Sequence, residues 1–363
     1  MKILIISRHT FPKQGPRAFR TAELSEELSR LGHHVVLYSV QGKFDYKEYQ
    51  KSTGVKMQNI KPRWATLASD ESMRYNLLDK FLYHYFHRIL FFPEIEFKYL
   101  VDDIIEENPG FDLLITIACP HSIHMGAARA KRKYPDLFPK IWIADCGDPF
   151  YMNSYFSFPR YMEKWERDWC EQADYISIPI EEGKSGYFPE YHDKIKVIPQ
   201  GFDFTKTPIA AYLPHEVPTF AYAGALYGKR NPIDFIKYLS GLQKPFRFYL
   251  FTRSAAPEEY SRLLGENLIN VVGKNRKECI YELSKMDFLV NFTNPSAVQS
   301  PSKLIDYGIA KRPIADIHIP FDNKNVIDEF LNRNYSNARQ INNLEEYDIR
   351  VVAQKFLNLA TSE

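Results

Sequence analysis

The sequence predicts an α/β protein built from two doubly wound domains. Three observations predict it: apolar runs of strand length without alternation, helical spacings between those runs, and a break in periodicity near the middle of the chain. Unbroken apolar runs mark strands buried on both faces, as in parallel sheets covered by helices. Lys2 to Ser7 is such a run, and Ala18 to Leu31 follows with Phe19, Ala22, Leu24, Leu28 and Leu31 at helical spacing until Gly32 stops it. His34 to Ser39 completes a strand, helix, strand unit, and further buried strands are expected at Leu113 to Ile117 and Ile141 to Ala144.

Pro199 to Pro218, with Gly201, Pro208 and Pro214, has little periodicity and reads as an interdomain linker. A second series begins after it, with strands at Thr219 to Ala223, Phe246 to Thr252 and Phe288 to Phe292 and helices at Ile233 to Leu242 and Lys277 to Lys285. The expected boundaries are 1–204 for the first domain and 205–343 for the second. Two such domains joined by a hinge should face each other across a cleft, and open sheets bind ligands at the carboxyl ends of their strands.

The 363 residues suffice for two domains of ordinary size. Forty-seven basic residues nearly balance 45 acidic ones, which argues against nucleic acid held by bulk charge. Cys119, Cys146, Cys170 and Cys279 show no close-paired spacing, so neither a disulfide scaffold nor a zinc ribbon is suggested and a reducing cytoplasm fits. The first residues turn polar too quickly for a signal peptide, and no apolar run approaches membrane-spanning length. The loop Arg8 to Arg20 lacks the Gly-x-Gly-x-x-Gly spacing of dinucleotide sites, which disfavours a dehydrogenase.

The stretch Gln299 to Asp316 reads as a turn, a helix and a strand. Ser300 or Ser302 can cap the helix, Pro301 suits its entry, and its first backbone N–H groups carry partial positive charge. Lys303 adds a full charge, and one turn further Asp306 supplies a carboxylate able to grip ribose hydroxyls. A diphosphate beside a ribose is a nucleotide, so the segment suggests a nucleotide-linked ligand.

Several segments then match, in order, those of a known group. Gly15-Pro16-Arg17 and Arg20 lie in the first loop, Pro120-His121-Ser122 follows a strand, and Trp142 to Asp145 leads into Asp148-Pro149-Phe150. Ala173 to Ser177, Ile198 to Asp203, Tyr222 to Arg230 and Pro301 to Tyr307 follow. With these motifs the chain resembles the two-domain GT-B glycosyltransferases, particularly the bacterial surface-polysaccharide enzymes of glycosyltransferase family 4. The resemblance covers almost the whole chain. It implies transfer of a sugar from a nucleotide diphosphate sugar to an acceptor hydroxyl, with retention of configuration, in assembly of a surface polysaccharide or lipopolysaccharide. It also implies that a terminal helix, within 344–363, packs back on the first domain.

Breaking the anomeric bond puts negative charge on the departing diphosphate, so cations are needed beside it. Gly224 in the loop after the second domain's first strand, Arg230, Arg253, Ser300, Ser302, Lys303 and Asp306 are the expected donor-binding residues. Lys229 reads equally as an ordinary loop lysine. No Asp-x-Asp pair occurs, so no metal is expected on the donor and no cofactor beyond the nucleotide diphosphate sugar as co-substrate. Asp306 matches the second acidic residue of the family's Glu-x7-Glu pattern, but Val298 stands where the first would be, which puts in doubt a contact near the donor sugar.

On the acceptor side the resemblance implies Gly15, Pro16, Arg17 and Arg20, the arginines meeting an anionic group such as a lipid diphosphate. His121, directly after a strand, can hydrogen-bond or deprotonate a sugar hydroxyl, or be a satisfied polar residue. Asp148 is the second catalytic candidate, or a cap for the turn at Pro149. The Cys119-x-His121-x-x-His124 spacing offers too few ligands for a metal. Residues 74–99 mix aromatic and basic side chains, and Phe81, Leu82, Tyr85, Phe86 and Ile89 fall on one helical face, read as a core face. The same mixture suits a membrane interface, so peripheral contact with the inner face of the cell membrane is a further expectation where the acceptor is lipid-linked. Three alternatives stay open: a GT-B nucleotide-sugar epimerase, a catalytically silent nucleotide-sugar binding module, and a non-enzymatic scaffold.

Overall fold

The computed structural model describes residues 1–64, 85–153, 157–224, 226, 231–252, 255–293 and 303–361. Two compact units make up the chain: Met1–Phe202 with Glu346–Glu363, and Asp203–Glu345.

In the first unit seven parallel strands form one sheet: β1 (Lys2–Ser7), β2 (His34–Ser39), β3 (Lys56–Asn59), β4 (Leu113–Ile117), β5 (Ile141–Asp145), β6 (Tyr175–Ile178) and β7 (Ile195–Val197). Their order is β3-β2-β1-β4-β5-β6-β7, so the winding reverses between β1 and β4. Every residue of β4 is buried, as its unbroken apolar run requires. One face carries a core of Leu4, Leu114, Trp142, Trp169 and their neighbours; the other packs Ile3, Ile5 and Leu37 against the Pro16–Arg30 and Ile349–Thr361 helices.

The second unit repeats the plan with β8 (Thr219–Ala223), β9 (Arg247–Thr252), β10 (Leu268–Val272), β11 (Phe288–Phe292) and β12 (Ile314–Ile317), all parallel in the order β10-β9-β8-β11-β12. Here the reversal falls between β8 and β11. Phe220 stacks on Phe248 and Phe288 at centroid separations of 4.9 and 4.7 Å, filling the centre of this core with aromatic rings. Strands β3, β6, β7 and β10 are not among those expected from sequence. β7 has three residues and β10 is half-exposed, so neither shows a long apolar run.

The C-terminal helix packs on the first unit. Ile349 and Val352 lie against Gly201, where an added Cβ would stand 2.6 Å from Ile349 Cδ1 and 3.1 Å from Val352 Cβ. Ile349 N–H bonds the Phe202 carbonyl at 3.0 Å, fixing the helix start to the same turn. Gly201→Ala should therefore cost about 1–3 kcal/mol by forcing helix and turn apart, read as a lowered melting temperature. An unchanged melt would show that the helix shifts without penalty.

Candidate functional site

In open parallel sheets, ligands bind beyond the carboxyl ends of the strands flanking the point where the winding reverses. In the first unit those ends are the loops after β1 and β4, with the loop after β5 beside them. In the second unit they are the loop after β8 and the segment leading into the Lys303–Ala310 helix after β11. Sequence reasoning placed its candidates at these ends.

Gly15 carries the carbonyl that receives the Phe19 N–H at 2.9 Å, and Pro16 opens the Pro16–Arg30 helix at a position where no N–H is needed. One turn in, Arg17 and Arg20 converge on Asp145, the last residue of β5. Arg17 Nη1 donates to Asp145 Oδ2 at 2.9 Å, Arg20 Nη2 to Oδ1 at 2.7 Å and Arg20 Nε to Oδ2 at 3.2 Å, while Ser177 Oγ donates to Oδ1 at 2.7 Å. Burial alone would raise the Asp145 carboxyl, but Arg20 and Arg17 hold it below its ordinary range.

Arg20, expected at an anionic acceptor, is instead a buried fastener. It is 1% exposed, its guanidinium also donates to the Pro199 and Ile198 carbonyls, and it lies 4.9 Å over the Phe356 ring. Its donors are committed within the fold, so no ligand meets it. Arg17 is different: its side chain keeps 19% exposure and runs past Gly147.

His121 precedes the Ser122–Lys133 helix and is 5% exposed, its ring set against Phe150, His124 and Trp169. Burial pushes its pKa down to about 4. So weak and enclosed an imidazole is poorly matched to taking a proton from a sugar hydroxyl. Asp148 is exposed. Glu166, missed from sequence, fixes the Asp148 loop from below: its carboxylate accepts the Phe150 N–H at 2.9 Å and the Tyr151 N–H at 3.2 Å.

In the second unit Gly224 ends β8 with φ of 148°, a region that favours glycine, and an added Cβ would stand 2.9 Å from the Tyr222 hydroxyl oxygen. Lys303 opens its helix with the ammonium 4.5 Å over the Tyr222 ring. Asp306, one turn on, accepts from Arg276 Nε at 2.8 Å and Nη2 at 2.5 Å, both bonds on Oδ1. Burial raises its carboxyl above the ordinary range, opposed by Arg276.

Tyr307 holds this helix in place. Its hydroxyl accepts the Ala223 N–H at 2.9 Å and donates to the Val290 carbonyl at 3.0 Å, tying the helix to β8 and β11 on both sides of the winding reversal. Arg276 and Tyr307 were not expected in the site. Tyr307 lies inside the Pro301 to Tyr307 motif, whereas Arg276 has as its signal only a basic residue directly after Asn275, the N-cap of the Asn275–Glu278 capping box. Arg230, Arg253, Ser300 and Ser302 lie outside the described residues.

The core face expected for residues 81–89 is corrected in its described part: Tyr85 is 53% and Phe86 41% exposed, while Phe81 and Leu82 lie outside the described residues. Among the described residues no helix is long and apolar enough to cross a membrane.

No family model and no curated protein matches the chain. Solved structures do match. A glycosyltransferase from Rickettsia africae superposes with a TM-score of 0.59 at 12% identity, over 98% of this chain and 93% of that one. Anabaena HepE in complex with UDP-glucose gives 0.60 at 9% identity over the whole of both chains. The lipopolysaccharide outer core galactosyltransferase WaaB gives 0.57 at 14% identity over 99% of each. With two Rossmann-like units, each built on a parallel sheet, the protein has the GT-B fold of glycosyltransferases.

Proposed function

We propose that this chain is a glycosyltransferase that moves a sugar from a nucleotide diphosphate sugar to an acceptor hydroxyl. The observation that carries the reading is the second unit's winding reversal, where Tyr307 holds a helix start bearing Lys303 and Asp306 beside the glycine-closed loop after β8. The fold likeness to HepE, whose structure holds UDP-glucose, supports it.

In this reading Lys303 and the first turn of its helix meet the diphosphate, joined by Arg230, Arg253, Ser300 and Ser302. Asp306 takes the ribose hydroxyls on Oδ2, because Arg276 occupies Oδ1. Gly224 lets the backbone approach the donor. On the first unit, Asp148 takes the acceptor proton, while Gly15, Pro16 and Arg17 hold the acceptor. The acceptor is a sugar or a lipid-linked glycan in surface-polysaccharide assembly, with retention of configuration, no metal on the donor, and a protein working in the cytoplasm or at the inner face of its membrane. Val298 favours one second reading, a module that binds nucleotide sugars without turnover.

Isothermal titration against a panel of nucleotide sugars tests the proposal. At least one should bind, and Lys303→Ala or Asp306→Asn should each weaken it by about 10- to 100-fold, the worth of a hydrogen bond to a charged group. Failure of every nucleotide sugar to bind, or unchanged affinity in both variants, overturns the assignment. Release of nucleoside diphosphate only when lipid-linked acceptors are added marks a transferase; binding without release selects the silent module. The anomeric configuration of the product, read by NMR, decides retention.

A further inference from the structure

We propose that His121, His124 and Cys146 form a binding site for a divalent cation of the zinc class. The sequence places Cys119 nearest the two histidines, but the fold brings Cys146 to them from the end of β5. One ligand atom from each residue lies within 4.8 Å of the others, and all three residues are buried. His124 Nε2 and Cys146 Sγ are 3.4 Å apart. Zinc bonds of about 2.3 Å to sulfur and about 2.0 Å to nitrogen, at a tetrahedral angle, put such atoms about 3.5 Å from each other.

The His124 imidazole is also oriented as metal-bound histidines are, by a partner on its other nitrogen. His124 Nδ1 lies 2.7 Å from Thr116 Oγ1, which itself accepts from Trp142 Nε1 at 2.8 Å. The His121 Nδ1 is buried without a hydrogen-bond partner. An orphaned, buried ring nitrogen is costly unless something binds it. Three protein ligands leave a fourth position for water. A bound ion would lock the end of β5 to the start of the Ser122–Lys133 helix, and so hold the loop that carries Asp148.

The test uses the full chain and a spectroscopic readout independent of sugar transfer. After dialysis against a chelator, addition of Co2+ should give one ion per chain, sulfur-to-cobalt charge-transfer absorption and the intense visible bands of a tetrahedral ion, all bleached by Zn2+. Cys119→Ser should leave the spectrum intact and Cys146→Ser should remove the charge-transfer band. Thr116→Val should weaken binding by about 10- to 100-fold. A folded wild-type protein without the bands overturns the proposal, as does a band lost in Cys119→Ser instead. Because Cys146→Ser could also disturb folding, Zn2+ is added during thermal melts: it should raise the wild-type melting temperature, and an unmoved melt counts against the site.

Discussion

Asp145→Ala should destabilise the first unit by about 3–5 kcal/mol, the cost of removing one partner from a buried ion pair. Asp145 is 1% exposed and receives Arg17, Arg20 and Ser177, so its loss strands a guanidinium inside the core. Arg20 could not escape to water, because Pro199, Ile198 and Phe356 enclose it. The measurement is the urea midpoint at constant slope. Arg20→Ala should cost a similar amount, and the double variant less than the sum, since the second change removes a charge already without its partner. A loss below about 1 kcal/mol in both single variants would show that water reaches the cluster.

The pH dependence of this pair has a definite sign. The Asp145 carboxyl is depressed in the fold, so its contribution is present above the ordinary Asp value and is lost as pH falls through the depressed one. Acid should therefore weaken the first unit through Asp145 before it affects the aromatic core of the second, which Phe220, Phe248 and Phe288 build without charge.

Much of the fold was legible in the sequence because buried parallel strands announce themselves as unbroken apolar runs. β1, β2, β4, β8 and β11 lie where those runs place them. The short strand β7 and the edge strand β10 were not legible, since pairing with a neighbour defines them more than their own side chains do. The candidate site divides in the same way. Lys303 and Asp306 could be found because a helix start and its first turn are local features. Arg276 reaches Asp306 from 30 positions away, Glu166 reaches the Phe150 amide across 16, and Cys146 reaches His124 across 22, so only tertiary packing reveals them. Arg20 failed as a ligand-binding candidate for a related reason: its spacing from Arg17 is local, but its burial depends on β5, the turn after β7 and the C-terminal helix together.

Glu166 carries the second large effect, and its pH dependence runs opposite to that of Asp145. Burial lifts its carboxyl from 4.5 to about 7, against the pull of the Phe150 and Tyr151 amides and of Arg167. Cys146, Cys170 and Tyr187 are the other titratable groups around it, each pushed upward by burial and uncharged at neutral pH. A folded-state value above the unfolded one means that the native chain holds the extra proton between the two. Stability from Glu166 is thus fully present below about 4.5 and is lost as pH rises through about 7, by about 3 kcal/mol at 1.36 kcal/mol per unit. Glu166→Gln removes the titration while keeping the shape, although its amide can accept only one of the two N–H groups. Urea unfolding of both proteins from pH 4.5 to 8 should show the wild type losing ground to the variant across that window. Parallel curves would mean that the carboxylate is already ionised at low pH, held by the two amides more strongly than burial opposes. Hydrogen exchange at Phe150 and Tyr151 reads the same event locally: both amides should exchange faster in Glu166→Ala, which would leave two buried donors unpaired and the Asp148 loop without its support.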